Sequence, residues 1–208
     1  GSAKPSVNLR VLIGSGAFLF GQVISTVAFA MLGFAVAPLS FERRYAVITN
    51  WTHFNLWWLR ITCGLRHEIL GFENIPSMPS VILCKHESAW ETLALQTVFC
   101  PQSWVLKREL LNIPFFGWGL RLLRPIAIDR SAGRKALQSL IKEGRDRLRS
   151  GCWIVVFPEG TRVPPGTKRS FQKGGAALAK RTGAMVTPVA HNAGDFWPRH
   201  GFLKFPGV

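Results

Sequence analysis

The sequence predicts an α/β fold, a mixed β-sheet flanked by helices, with a membrane-associated helical hairpin in front of it. Three observations lead there. Short apolar runs at 81–85, 103–107, 152–157 and 185–190 have the length and composition of strands. They alternate with stretches of helical period, which argues for helices on both faces of a sheet. Upstream, residues 11–37 contain no charge at all. The chain therefore divides into N-terminal membrane-associated helices (1–65) and an α/β domain (66–208).

Each element has its own signal. As a helix, 11–37 would be about 40 Å long, more than a hydrocarbon core of about 30 Å requires. Ser15, Gln22, Ser25 and Thr26 dilute its hydrophobicity, and Pro38 should end it. Lys4 and Arg10 flank one end and Arg43 and Arg44 the other, so flanking charge does not orient it. Residues 45–65 carry Trp51, Phe54, Trp57, Trp58 and Leu59, read as an interfacial amphipathic helix that returns to the same side. Gly64 is its expected stop.

Residues 66–70 read as a first strand, and 71–79 as a connector. Residues 81–85 and 103–107 follow as strands, and 110–123 as loop and helix interrupted by Pro114, Gly117 and Gly119. Residues 125–129 make a further strand. In 134–149, Ala136, Leu137, Leu140, Ile141 and Leu148 form an apolar stripe opposite charged residues, and Gly151 ends the helix. Residues 152–157 are continuously apolar, as in a strand buried on both faces. A short helix (173–181) and a last strand (185–190) complete the pattern.

Composition narrows the partners. The 208-residue chain has a formal net charge of +15, yet 48% of its residues are apolar and eight are Trp. A basic nucleic-acid binder is normally more polar. Cations together with indoles suit an anionic membrane surface instead. Cys63, Cys84, Cys100 and Cys152 show no CxxC spacing and read as reduced thiols on the cytosolic side. His67, His191 and His200 are isolated and lack metal-ligand spacing, so no metal is expected.

Two constellations carry chemistry. In Lys85-His86-Glu87-Ser88-Ala89-Trp90-Glu91, His86 and Glu91 are five positions apart. On one continuous helix they would diverge by roughly 140°. They converge if His86 lies in the turn after the strand and Glu91 in the first helical turn. A His–carboxylate dyad could then take a proton from a hydroxyl, at the strand edge where open α/β sheets build their sites. The same residues also read as a capping box, with Ser88 as N-cap and Glu91 returning to the backbone. Both readings stand at this point. The second constellation is Phe157-Pro158-Glu159-Gly160-Thr161-Arg162, a tight turn after a buried strand, followed by Lys168, Arg169 and Lys173. Gly160 lets the backbone approach a ligand, and Arg162 offers a planar fork for phosphate. A solvated surface turn is the competing reading.

Taken together, these motifs resemble the glycerolipid acyltransferase family, specifically bacterial lysophosphatidate (1-acylglycerol-3-phosphate) acyltransferases. His86 to Glu91 is similar to the family's first block, and Phe157 to Arg162 matches its third intact. Lys107-Arg108-Glu109-Leu110 leading to Pro114-Phe115-Phe116-Gly117 looks like its lysine-bearing segment. Ile128-Asp129-Arg130 resembles the second block and Val186-Thr187-Pro188-Val189 the fourth. Order and spacing agree across roughly 70–192. One departure stands out: most members carry Asp where this chain has Glu91, which adds roughly 1.5 Å of reach. The resemblance also implies a further strand beyond Val208.

What the resemblance implies is acyl transfer from acyl-coenzyme A or acyl carrier protein, as co-substrate without a cofactor, to the sn-2 hydroxyl of lysophosphatidate. His86 would be the base and Glu91 its orienting partner. Arg162, Arg130 and Lys107 would hold the acceptor phosphate. Glu159 would order the loop or contact the glycerol, and Gly160 and Thr161 would shape the turn. The expected location is the bacterial inner membrane with the catalytic domain facing the cytoplasm. Alternatives are the same chemistry on glycerol-3-phosphate or another lysolipid, a thioesterase, or an anionic-lipid binding module. No G-x-S-x-G elbow supports a lipase-type serine.

Overall fold

Asn8 starts the first helix, its Oδ1 accepting the Val11 N–H at 3.0 Å. The computed structural model describes residues 6–199 and 201–208, and Arg130 by its backbone alone. Helix α1 (Leu9–Val36) is 28 residues long and turns at residues 37–40 into α2 (Phe41–Cys63), which Gly64 caps. Contacts between the two descend along α2 as they climb α1: Ala17 O accepts from the Trp58 indole N–H at 3.0 Å, and Ser25 Oγ lies 3.4 Å from Asn55 Nδ2. The helices therefore form an antiparallel hairpin. At Gly14 the α2 backbone comes so close that a Cβ would run into the Thr62 carbonyl.

The polar residues of α1 now have a place. Ser15 and Ser25 are buried inward, while Leu12, Ile13, Phe20, Ile24, Met31 and Phe34 are exposed. Leaving a large apolar side chain in water forgoes about 1.5–3 kcal/mol. A face built wholly of such residues belongs in lipid. By length and composition α1 can cross a bilayer, and the chain is membrane-associated.

The α/β part contains β1 (Val81–Cys84), α3 (Trp90–Val98), β2 (Gln102–Lys107), α4 (Phe116–Leu122), β3 (Ile126–Ile128), α5 (Arg134–Arg149), β4 (Trp153–Val156), α6 (Gly174–Thr182), β5 (Val186–Val189) and α7 (Ala193–Phe196). Sheet order is β3-β2-β4-β1-β5. Every pairing is parallel, so the mixed sheet expected from sequence is corrected to a wholly parallel one. The cause is connectivity, since each strand is joined to the next by a crossover carrying helix.

Side-chain alternation assigns the two faces. Ile82, Cys84, Trp104, Leu106, Trp153 and Val155 pack with Tyr45 and Ile48 of α2 and Leu95 of α3. Val81, Ile126, Ile154 and Val156 pack with Leu140 of α5 and Leu178 of α6. The helical hairpin thus covers one face of the sheet, and α5 with α6 the other. A third cluster, including Phe18, Leu59, Leu65 and Trp197, ties the hairpin to the C-terminal segment. Within it the Lys204 N–H donates to Ser15 Oγ at 2.9 Å.

The strand expected at 66–70 does not form. Leu65 makes a single parallel bridge to Gly207, and residues 66–70 are exposed. Strand β1 already pairs with β4 on one side and β5 on the other, so the segment has no open edge beside it.

Candidate active site

The parallel sheet brings the motifs to one edge. His86 follows β1, Lys107 ends β2, Arg130 follows β3 and Phe157 follows β4. These are four neighbouring strands, so their carboxyl ends open on one side, where loops of an open sheet assemble a site.

At β1, the dyad forms together with the returning half of the capping box, while the helix begins one residue later than expected, with Ala89 in place of Ser88 at its N-cap. Glu91 Oε1 lies 2.7 Å from His86 Nδ1 and also accepts the backbone N–H groups of Glu87 and Ser88, each at 3.0 Å. Ser88 Oγ in turn accepts the Trp90 N–H at 3.1 Å. The capping device is what immobilises the carboxylate against the imidazole. Its side chain is only 1% exposed and that of His86 15%. The added methylene of Glu91 is taken up without loss of contact. Because Nδ1 faces a carboxylate, it carries the proton, and Nε2 is the nitrogen presented to a ligand.

The loop after β4 buttresses this imidazole. The Phe157 ring stacks on His86, with centroids 4.0 Å apart and planes 16° from parallel. The Val163 N–H donates to the His86 carbonyl at 2.7 Å. Between these two contacts the chain must turn sharply, and Gly160 does so at φ 71°. The Gln172 N–H closes the far side onto the Pro158 carbonyl at 2.7 Å.

A cleft of about 1260 Å³ opens over the edge. His86, Lys107, Glu159, Gly160, Thr161 and Arg162 all line it. Glu91 stands behind His86. The Arg130 side chain, named from sequence for phosphate, lies outside the described residues. One end of the cleft reaches the hairpin through Thr26, Phe29 and Trp51; the other reaches α5 through Ala136 and Leu140. Arg162 Nη1 donates to the Arg199 carbonyl at 3.4 Å. Burial pulls the Arg162 guanidinium below its ordinary value; the charge of Glu91 opposes this and that of Arg199 adds to it. Glu159 is buried, and among the described residues its Oε2 accepts no hydrogen bond; the Arg199 Nε is likewise buried without a partner.

Two participants escaped sequence reasoning. Arg199 lines the cleft beside Arg162 but lies 37 residues downstream, outside any motif. His191, expected to be isolated, is not. Its Nδ1 lies 3.2 Å from the Ala193 N–H, its Nε2 2.8 Å from the Lys85 carbonyl and 3.9 Å from Glu91 Oε2. His200 lies outside the described residues. Only its place just after β5, the edge neighbour of β1, could have hinted at His191.

The arrangement holds a base-competent imidazole, an orienting carboxylate and a cationic wall over an apolar cleft. Residues 66–192 match the family model described as Acyltransferase. A 1-acyl-sn-glycerol-3-phosphate acyltransferase of Pseudomonas aeruginosa is 51% identical over 205 residues, covering 98% of this chain and 76% of that protein. One from Borreliella burgdorferi is 34% identical over 137 residues, covering 64% of this chain and 54% of that protein. The crystal structure of the 1-acyl-sn-glycerophosphate acyltransferase PlsC from Thermotoga maritima superposes with a TM-score of 0.76 at 25% identity, over 96% of this chain and 81% of that one. On the match of its α/β half and on its likeness to the Pseudomonas protein along nearly its whole length, this chain belongs to the acyltransferase family.

Proposed function

We propose that the chain transfers a fatty acyl group from an acyl thioester to the sn-2 hydroxyl of lysophosphatidate, forming phosphatidate. The observation that carries this reading is the His86–Glu91 contact of 2.7 Å at the wall of a cleft that also holds Arg162 and Arg199. His86 Nε2 takes the acceptor hydroxyl proton as the oxygen attacks the thioester carbonyl. The C–O bond forms, the C–S bond breaks, and the departing thiolate recovers the proton from the imidazolium. Glu91 keeps Nδ1 protonated and steadies the imidazolium. No acyl-enzyme is required when acceptor and donor are held together over His86 and react directly.

The acceptor phosphate is assigned to Arg162, Lys107 and Arg130, with Arg199 added from the fold. A dianion offers Arg162 and Arg199 the charge-assisted bonds that no carboxylate among the described residues gives them. Glu159 suits a different contact: its unpartnered buried Oε2 can accept from a glycerol hydroxyl. Gly160 and Thr161 hold the turn. The thioester, on coenzyme A or on acyl carrier protein, is a co-substrate, and the chemistry calls for no further cofactor. The same reading locates the protein at the bacterial inner membrane with its catalytic half toward the cytoplasm. Supporting this are the exposed apolar face of α1 and four free cysteines, which suit a reducing compartment.

The test is acyl transfer in detergent micelles, with lysophosphatidate and an acyl-coenzyme A, for wild type and His86→Ala side by side. Phosphatidate from wild type alone is the expected result. Substantial turnover by a folded His86→Ala protein would remove His86 as base. Turnover confined to a different lysolipid would replace the acceptor.

A further inference from the structure

A second concavity borders the catalytic cleft. It is a groove of about 510 Å³ between α5 and α6, lined by Arg134, Lys142, Arg145, Arg149 and Arg181, with Leu137 and Ile141 as apolar floor. Arg134, Lys142, Arg145 and Arg149 follow helical spacing along one stripe of α5. All five cations are exposed. Asp146 is the one acidic residue in the lining. Among the described residues, none of the five cations makes an ion pair. Arg145 spends a guanidinium N–H on the Arg181 carbonyl at 3.1 Å, which draws the α6 terminus into the same positive field. Like charges held this close repel, and an anionic partner relieves that repulsion.

The partner follows from the position of the groove. Helices α5 and α6 cover the sheet face opposite to the one covered by the hairpin. The hairpin that carries the apolar face of α1 and the helices that carry the cationic groove thus pack on opposite faces of the sheet, which favours a soluble partner for the groove over the bilayer that takes α1. Leu137, however, lines both groove and catalytic cleft, and Gly133 beside Arg134 lines the cleft too. The groove is therefore the solvent-side approach to the site. A cationic ladder flanking an apolar floor is complementary to an amphipathic helix whose polar face is acidic.

We propose that this groove docks an acidic protein that carries the donor acyl thioester on a flexible arm, delivering it past Leu137 into the cleft. The proposal rests on the acyl-transfer reading above and assigns that site its donor partner.

The experiment uses the full chain in detergent micelles. The Lys142→Glu/Arg149→Glu variant is compared with wild type on two donors: palmitoyl acyl carrier protein and palmitoyl-coenzyme A. The neutral Lys142→Gln/Arg149→Gln variant grades the charge. The charge reversal is expected to lower kcat/KM for the protein-borne donor by about tenfold or more, through KM, with the neutral variant in between. Turnover with palmitoyl-coenzyme A should change less than about twofold. Added salt should erase the wild-type advantage. Equal losses with both donors, or no loss with either, would overturn the proposal. So would loss of binding to anionic vesicles without donor discrimination, which would make the groove a lipid contact. If wild type turned over neither donor, the acyl-transfer reading would fail. Calorimetric binding of the carrier protein to both chains would still decide the groove, and equal affinity would reject it.

Discussion

Replacing Glu91 by Gln separates two duties that one carboxylate performs. Glu91 Oε1 serves His86 Nδ1 at 2.7 Å and the Glu87 and Ser88 N–H groups at 3.0 Å each; Oε2 serves the Ser88 N–H at 3.2 Å. A Gln oxygen in the Oε1 position keeps the first three contacts and preserves the His86 tautomer. Its amide nitrogen then meets the Ser88 N–H, donor against donor, and the negative charge is gone. A hydrogen bond to a charged group contributes about 1.5–3 kcal/mol. Losing that from the transition state, where the imidazole is positive, predicts a fall in kcat of roughly 10- to 150-fold. The donor clash in a buried site predicts a loss of about 1–3 kcal/mol in stability. The assay is a double-mutant cycle in acyl transfer with thermal unfolding on the same samples. If Glu91 acts through His86, Glu91→Gln should have no further effect on rate in a His86→Ala background, yet should destabilise both backgrounds alike. An equal rate loss with and without His86 would refute the dyad. Near-wild-type kcat for the single variant would leave only the cap.

Arg162→Ala and Arg199→Gln should each weaken acceptor use by ~2–4 kcal/mol, about 30- to 900-fold in kcat/KM, with the loss in acceptor KM; an unchanged acceptor KM removes the residue from the phosphate site. Gly14→Val should push α1 off Thr62 and destabilise the fold by about 1–3 kcal/mol, read as a lower Tm in micelles, whereas Gly16→Ala, whose Cβ meets nothing nearer than Phe202 at 3.9 Å, should leave Tm in place. Cys84 is buried and its thiol is pushed well up by desolvation, then by Glu91, Glu159 and Glu87; Cys63 and Cys152 are buried too and Cys100 is exposed. A neutral alkylating agent at pH 8 should therefore label Cys100 first, slowed by the desolvation that raises its thiol too, and the other three only after denaturation; fast labelling of Cys84 would contradict its burial.

Elements whose signal is local were legible in the chain. The apolar stripe of residues 134–149 returns as α5 with the same limits, Arg134–Arg149. Strands β1 to β5 fall within the apolar runs or one residue beyond them. The turn between His86 and Glu91 was readable because the continuous apolar run stops at Lys85 and helical spacing starts around Ala89. Side-chain period along a strand or helix depends on its own residues, so the sequence determines it unaided. Partners were another matter. Residues 66–70 have a plausible strand composition, but β5 takes the edge of β1 they would need. Parallel pairing, the shared edge and the burial of polar α1 residues against α2 depend on contacts between distant segments. So does the arrival of His191 beside Glu91 and of Arg199 beside Arg162. The sequence by itself determined the elements, the motifs and the chemistry their residues allow. Tertiary structure alone decided that dyad and capping box share one carboxylate, and which cations face it, because those outcomes rest on long-range packing that no local period encodes.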